Sequence, residues 1–352
     1  MAPESSGTGS TSRPRIKDVA RLAGVGVGTV SRVVNGGANV SAASAEAVER
    51  AIEALGYRRN ESARGLRIGA TESIALLVED VADPFFSLLN RAVEDEVIER
   101  GSVLLTASSS KDARRARELI LTFCARRVDG LVVTLPESGD EEYLLAEQRA
   151  GTPMVFVDRP PRTFDADTVI ADNRGGAREG VAHLLAQGHL RIACITDRAD
   201  LFTASERLAG YRRALDDAGV AFDPSLVFSA APDAAAIDAE LARMLASASP
   251  PTAVFAGNNR TCVHVISALH LRGAQLAVVG FDDFELADLV VPGITVIAQD
   301  PQLMGRTAMD LLLARIDGAD EPPRRVVLGT RLVARGSGEL PVSGGGSEPP
   351  RA

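Results

Sequence analysis

The run TVSRVVN places Thr29, Ser31, Arg32 and Asn35 on the solvent side of what reads as a short helix. Three are short polar groups suited to phosphate oxygens, and the fourth is a guanidinium able to grip guanine through two hydrogen bonds. An ordinary solvated helix face would look the same. The preceding GVGVG, residues 24–28, invites a phosphate-loop reading. Against it, no β-rich strand leads into Gly24, and the phosphate-contacting Lys of such a loop is missing. Elsewhere the chemistry is sparse. His183, His189, His264 and His270 fall within or at the ends of predicted helices, where surface or capping roles are expected. None accompanies a GxSxG nucleophile motif, and the six-residue gap between His183 and His189 does not fit a helical metal pair. Cys124, Cys194 and Cys262 stand too far apart for a redox pair, a zinc knuckle or a disulfide framework. Asp282 and Asp283 follow the apolar run LAVVGF, at a strand's carboxyl end where a ligand group or an acid catalyst could sit, yet no basic partner is near them in sequence. The chain therefore reads as a binder: no catalytic residue, no metal and no cofactor is expected.

Two sets of elements must position these groups. In residues 15–57, Val19, Ala20 and Ala23 line one face of a first helix that Gly24 can end in the left-handed conformation. Val30, Val33 and Val34 give a second helix its inner face, and Val48, Ala51, Ile52 and Leu55 give a third the same i, i+3, i+4 pattern. Two short helices joined by a tight glycine turn make a helix-turn-helix, whose second helix can enter a major groove. From residue 73 onward, short apolar runs alternate with amphipathic stretches. IALLV, VLLT, GLVVT and MVFV form one series; TVIA, RIACIT, AVFA and LAVVGF form a second. This βαβ rhythm predicts parallel, doubly wound sheets, and two series predict two α/β lobes with a ligand cleft at the strands' carboxyl ends. The fold class expected is a small all-α helix-turn-helix head plus an α/β body of two doubly wound lobes.

Charge follows the same division. The 352-residue chain carries a net of -9, but residues 1–67 hold ten Lys or Arg against six Asp or Glu, a net of +4, and the remaining 285 residues a net of -13. A basic head on an acidic body suggests that only the head meets something anionic. The Ser/Gly/Pro-rich start lacks the apolar core of a secretory signal, and no run of about 18 uncharged apolar residues could span a membrane. A cytoplasmic protein without membrane partners is expected, with residues 1–13 and 337–352 disordered.

In order and without gaps, IKDVARLAGV, TVSRVVNG, VSAASAEAVERAIEALGY and NESARGLRIG resemble the DNA-binding head and hinge of the lactose repressor (LacI/GalR) family. The resemblance continues through ADPFF, VDRP, ADNRGGAREGVAHLLAQGH, ERLAGY, VVGFDD and AQDP, and so covers roughly residues 15–335. It implies a head at 14–59, a hinge helix and linker at 60–72, and a periplasmic-binding-protein-like body at 73–336. The N-lobe would comprise about 73–171 plus 299–324 and the C-lobe about 172–298 plus 325–336. It also implies that Val27, Gly28 and Arg32 read bases, that Thr29, Ser31, Asn35, Ser41 and Tyr57 fall at or beside backbone contacts, and that Asn60, Ala63, Leu66 and Arg67 belong to a hinge whose Leu66 wedges into the minor groove. In the body it implies a ligand site made by Asp83, Phe85, Asp158, Arg207, Asn258, Asp282 and Gln299, a set suited to a polyol.

The expected function is thus a transcriptional regulator, most often a repressor. It would bind a pseudo-palindromic operator DNA as a homodimer, under control of a small-molecule, sugar-like effector, with purines and nucleosides also known in such pockets. A solute-binding protein or a sugar-metabolising α/β enzyme would explain the body but not the head. Three departures from the family pattern stand out. Gly26 replaces a Ser that would cap the recognition helix, Gly28 offers no side chain to bases, and Asn259 stands where many members have Asp.

Overall fold

A computed structural model describes residues 14–34, 37, 40–57, 71–136, 138–231 and 233–342. The chain divides into two compact units, residues 1–71 and 72–352.

In the first unit α1 (Ile16–Ala23), α2 (Val27–Val34) and α3 (Ala42–Leu55) close on Val19, Ala20, Val30, Val48 and Ala51. The ends are built as the sequence suggests. The Asp18 carboxylate accepts from the Arg15 backbone N–H at 2.9 Å, while Gly24 (φ 65°) and Gly56 (φ 59°) end α1 and α3 in the left-handed region where a Cβ would be strained. Ser41 caps α3, accepting from Ser44 N–H.

Among its described residues the second unit contains two six-stranded sheets. Its strands are β1 (Ser73–Val78), β2 (Val103–Ser108), β3 (Gly130–Val133), β4 (Met154–Val157), β5 (Thr168–Ala171), β6 (Ile192–Thr196), β7 (Val227–Ser229), β8 (Ala253–Ala256), β9 (Ala277–Phe281), β10 (Thr295–Ala298), β11 (Arg325–Leu328) and β12 (Arg331–Val333). The helices between them are α4 (Pro84–Glu99), α5 (Ala113–Ala125), α6 (Glu142–Arg149), α7 (Asn173–Ala186), α8 (Phe202–Asp217), α9 (Ala234–Leu245), α10 (Asn259–Arg272) and α11 (Pro301–Ile316). One sheet runs β11-β5-β4-β3-β1-β2 and the other β12-β10-β9-β8-β6-β7; all pairs are parallel except β10 with β12. Each sheet is covered on both faces, so its central strands are apolar throughout rather than alternating. Along β1, Ile74, Leu76 and Val78 enter one core, and Ala75 and Leu77 enter the core on the opposite face. Along β6, Ala193 and Ile195 part from Ile192 and Cys194 in the same way.

Strand order reverses at β1/β3 in the first sheet and at β6/β8 in the second. Such switch points open a crevice beyond the carboxyl ends of the strands.

Four details correct the sequence reading. TVIA, grouped with the second strand series, is β5 and pairs with β4 in the first sheet. Residues 325–328, assigned to the C-lobe, form β11 beside β5, so the chain crosses between lobes once more before β12 joins β10. Residues 337–340 are not a loose tail. Ser337 is buried and donates to Val278 O at 2.6 Å, and the Glu339 carboxylate meets His183 at 2.5 Å. His189, expected in a surface or capping role, is fully buried between Thr252 Oγ1 and Leu340 O, each 2.9 Å from a ring nitrogen. The first two errors concern which lobe a short apolar run joins, which strand pairing decides and periodicity does not. The last two depend on long-range partners. The remaining expectations for the ends, at residues 1–13 and 343–352, lie outside the described residues.

Candidate functional site

The body's cleft is assembled from residues directly after strands. Asp83 and Phe85 follow β1, Asp158 follows β4, Asn258 follows β8, Asp282 follows β9 and Gln299 follows β10, while Arg207 reaches in from α8. All seven expected ligand residues line this one cleft.

Their partners show what each is free to do. Asp83 caps α4, accepting from Phe85 N–H at 3.0 Å. It also faces the opposite lobe, accepting from Asn259 Nδ2 at 3.1 Å and pairing with Arg260 at 3.2 Å. An Asp at position 259 would set two carboxylates against each other, so the amide found there is what lets this contact form. Asn258 caps α10, its Oδ1 accepting from Thr261 N–H at 2.7 Å. Phe85 is buried edge-on to Phe86, with ring centroids 5.1 Å apart.

Arg207 is more committed than an open fork. Its Nε donates to Asn173 Oδ1 at 2.8 Å and its Nη1 to Gly257 O at 2.7 Å, the latter also lying 3.4 Å from Asp282 Oδ2. The guanidinium stacks 3.8 Å from the centroid of Phe281. Burial pushes the Asp282 carboxyl up from its ordinary range, with Arg207 and Gln299 working against the shift. Gln299 Nε2 donates to Asp282 Oδ1 at 2.5 Å, and Gln299 Oε1 is buried without a hydrogen-bond partner among the described residues. Asp158 and Asp282 both adopt φ 69°, at equivalent strand ends of the two lobes. Strain of this kind persists where surrounding structure enforces it, and it clusters at ligand sites.

Sequence reasoning missed Glu79, Lys111, Arg159, Asp197 and Arg260. Lys111 pairs with Glu79 of its own lobe at 3.3 Å and with Asp197 of the other at 3.0 Å. Burial works to lower its pKa, but the two carboxylates outweigh it and the net shift is upward. Ser110 and Lys111 both hold positive φ (55° and 62°), so a strained turn after β2 presents the ammonium. On the other flank Arg260 joins Asp80 at 2.5 Å as well as Asp83. Arg159 pairs with Glu79 and Asp158, each at 3.0 Å. The available signal was position: each of these five lies within a few residues of a strand's carboxyl end.

In the head, Val27, Gly28 and Arg32 are exposed on α2 and Thr29 and Ser31 partly so. A Cβ at Gly28 would lie 4.0 Å from the Arg32 guanidinium, an ordinary contact, so the two positions are neighbours along the exposed face of the helix. Exposed Ser41 spends its oxygen on the α3 cap, and Tyr57 packs against the head's core. Asn35, Asn60, Ala63, Leu66 and Arg67 lie outside the described residues.

Comparison with known proteins matches residues 15–60 to the bacterial regulatory proteins of the lacI family and residues 181–338 to a periplasmic binding protein-like domain. The ribose operon repressor of Escherichia coli strain K12 is 35% identical over 332 residues, covering 92% of this chain and 99% of its own. The HTH-type transcriptional regulator CelR of Thermobifida fusca is 37% identical over 340 residues, covering 93% and 98%. Among solved structures, the lac repressor dimer bound to operator and the anti-inducer ONPF aligns with a TM-score of 0.80 at 27% identity, over 94% of this chain and 100% of that one.

Proposed function

The chain belongs to the lacI family of bacterial regulatory proteins, and from that membership we propose that it is a transcriptional repressor whose head reads an operator and whose body answers to a small polyol. The observation that carries the effector half is the convergence of Asp83, Phe85, Asp158, Arg207, Asn258, Asp282 and Gln299 on one cleft between two lobes. Carboxylate and amide oxygens accept from sugar hydroxyls, Gln299 Oε1 has no other partner among the described residues, and Phe85 supplies an apolar surface for a ring. The relatives agree: one represses a ribose operon, and the lac repressor holds its anti-inducer together with operator. In this reading the protein is a binder rather than an enzyme and works in the cytoplasm, where operator DNA is; among the described residues no helix is long and apolar enough to cross a membrane.

A pseudo-palindromic operator calls for two heads, hence a homodimer. The body offers a surface for one. Leu286, Leu289 and Val291, within a single short segment after β9, are 56%, 75% and 99% exposed, an apolar cluster of the kind that a partner copy could cover.

Val27 and Arg32 carry base recognition in this reading, with Thr29 and Ser31 on phosphates; Leu66 acts as the hinge wedge. The test is Arg32→Ala on operator fragments selected from genomic DNA. A lost bidentate guanine contact is worth about 1–3 kcal/mol per half-site, so preference over random DNA should fall roughly 5- to 150-fold for each. Weak, strongly salt-dependent binding should remain. Unchanged preference would refute the assignment.

A further inference from the structure

Between β9 and β10 the chain forms one 3₁₀ turn, Glu285–Asp288, set in loop, yet its side chains are sorted as in an amphipathic element. Ala287 and Ile294 are buried in the core of the second lobe, and Phe284 and Val290 pack against that core. Leu286, Leu289 and Val291 are exposed. A loop of this length, held by few backbone bonds of its own, ordinarily keeps much of its conformational freedom.

One side chain from far along the chain fastens it. Arg335, two residues past β12, donates from Nη1 and Nη2 to the two carboxylate oxygens of Asp283, each at 2.8 Å, and from Nη1 to Ile294 O at 3.3 Å. Its Nε pairs with Asp288, the last residue of the 3₁₀ turn. The guanidinium thus holds the segment at its start, its middle and its end. Backbone contacts bring it there: Arg335 N–H donates to Thr295 Oγ1 at 3.0 Å and Ser337 N–H to Gly293 O at 2.9 Å. A Cβ at Gly293 would come within 3.1 Å of the Arg335 Cβ, so a glycine suits this close approach. An ammonium could not do the same work, because a planar fork is needed to meet one carboxylate with two bonds while a third nitrogen serves another. The Arg335 side chain is largely buried, which protects the fork from solvent screening, whereas Asp288 is the exposed member.

We propose that Arg335 is a positioning residue for self-association: it orders residues 283–294 in advance, so that Leu286, Leu289 and Val291 already stand as one apolar surface when a second copy arrives. This rests on the homodimer reading of that surface. A loop that must be fixed on association subtracts the cost of ordering from affinity, and a loop fixed beforehand does not. Charge works in the same direction. A two-fold contact brings the segment against its own copy, so Asp283 and Asp288 are brought toward their like. Arg335 offsets one of those two charges.

The experiment is sedimentation velocity of the full-length protein over a dilution series, for the native chain, Arg335→Met, Arg335→Lys, Asp288→Asn and the exposed β12 control Arg331→Met. Arg335→Met should raise the dimer dissociation constant about ten-fold or more, and Arg335→Lys and Asp288→Asn about three- to ten-fold, with Arg331→Met within about two-fold of the native chain. Hydrogen–deuterium exchange, compared at a dilution where every chain is monomeric, supplies the readout that a merely structural role would not give. Amides of residues 284–294 should exchange faster in Arg335→Met while those of β9 and β10 keep their protection. Faster exchange spread equally through β9 and β10 would make Arg335 a general stabiliser of the lobe and overturn the inference. Should Arg335→Met fail to fold, Arg335→Lys and Asp288→Asn carry the same test, and an unchanged dissociation constant in both would overturn it. A dimer indifferent to Arg335→Met but broken by Val291→Asp would overturn the role of Arg335 and leave the surface standing. A dimer indifferent to Val291→Asp as well would overturn the surface reading, and this inference with it.

Discussion

Arg207 is both an expected ligand residue and the counter-ion of a buried carboxylate, and the two roles predict different energetics. In Arg207→Met the ion pair with Asp282 at 3.4 Å, the bonds to Asn173 Oδ1 and Gly257 O, and the stacking on Phe281 all go. Breaking a buried pair from one side costs about 3–5 kcal/mol, most of it from the orphaned charge. Asp282→Asn should be mild, under about 1 kcal/mol, because Arg207 keeps Asn173 Oδ1, Gly257 O and the Phe281 ring as partners and burial already disfavours the ionised carboxyl. In the double variant the orphaned charge is absent and only unpartnered acceptors remain, a cost of about 1–3 kcal/mol. Urea unfolding of the full-length protein, followed by circular dichroism, should therefore give a coupling of about 2 kcal/mol between the sites. The pH dependence has a definite sign. The folded carboxyl titrates above its ordinary 3.8, so the fold loses stability as pH rises from 3.8 through the raised value. The native protein should gain on Asp282→Asn as pH is lowered across that window. Additivity within about 0.5 kcal/mol would refute the counter-ion argument and return Arg207 to the role of an open ligand fork, whereas the opposite pH trend would show that Arg207 rather than burial governs the carboxyl.

Two further outcomes follow from the same geometry. Lys111→Met removes a partly exposed link between the lobes. Such pairs are worth about 0.2–1 kcal/mol, so it should weaken effector binding by no more than about five-fold and leave effector-free operator binding unchanged; a larger loss would mean that Lys111 contacts the ligand directly. Val291→Asp and Leu289→Asp should shift sedimentation from dimer toward monomer and lower operator affinity ten-fold or more, and a persistent dimer would move the interface elsewhere.

Much of this was legible because the signals were local. Apolar runs of four to six residues between amphipathic stretches reveal parallel strands buried on both faces, and Gly24 and Gly56 mark helix ends whatever the tertiary context. Asp158 and Asp282 stand where strands end, so topology alone points them at a crevice. What stayed hidden depends on partners far away in the chain. Asp282 has no basic neighbour in sequence, yet Arg207 reaches it across 75 residues and Arg335 reaches Asp283 across 52. Lys111 reads as a turn residue until Asp197, 86 residues on, comes within 3.0 Å. His189 reads as a helix-end histidine until Thr252 and Leu340 enclose it. Periodicity reports which face a residue takes, whereas the identity of its partner is fixed only when strand order is fixed.

The division of charge acquires a sharper meaning from the cleft. The body's net of -13 could have been concentrated where a cationic effector binds, and it is not: the lining of the central cleft carries five carboxylates against four cations. Nearly all of the surplus therefore lies outside the ligand site, where it acts on bulk behaviour by discouraging non-specific contact with nucleic acid. Recognition by charge is then confined to the head, where phosphate contacts make binding sensitive to salt. The cleft, with its cations and carboxylates paired, must select by hydroxyl pattern and shape. Effector affinity should accordingly be nearly independent of ionic strength under conditions in which operator affinity falls by orders of magnitude. A steep salt dependence of effector binding would show that the paired groups open to receive a charged ligand after all.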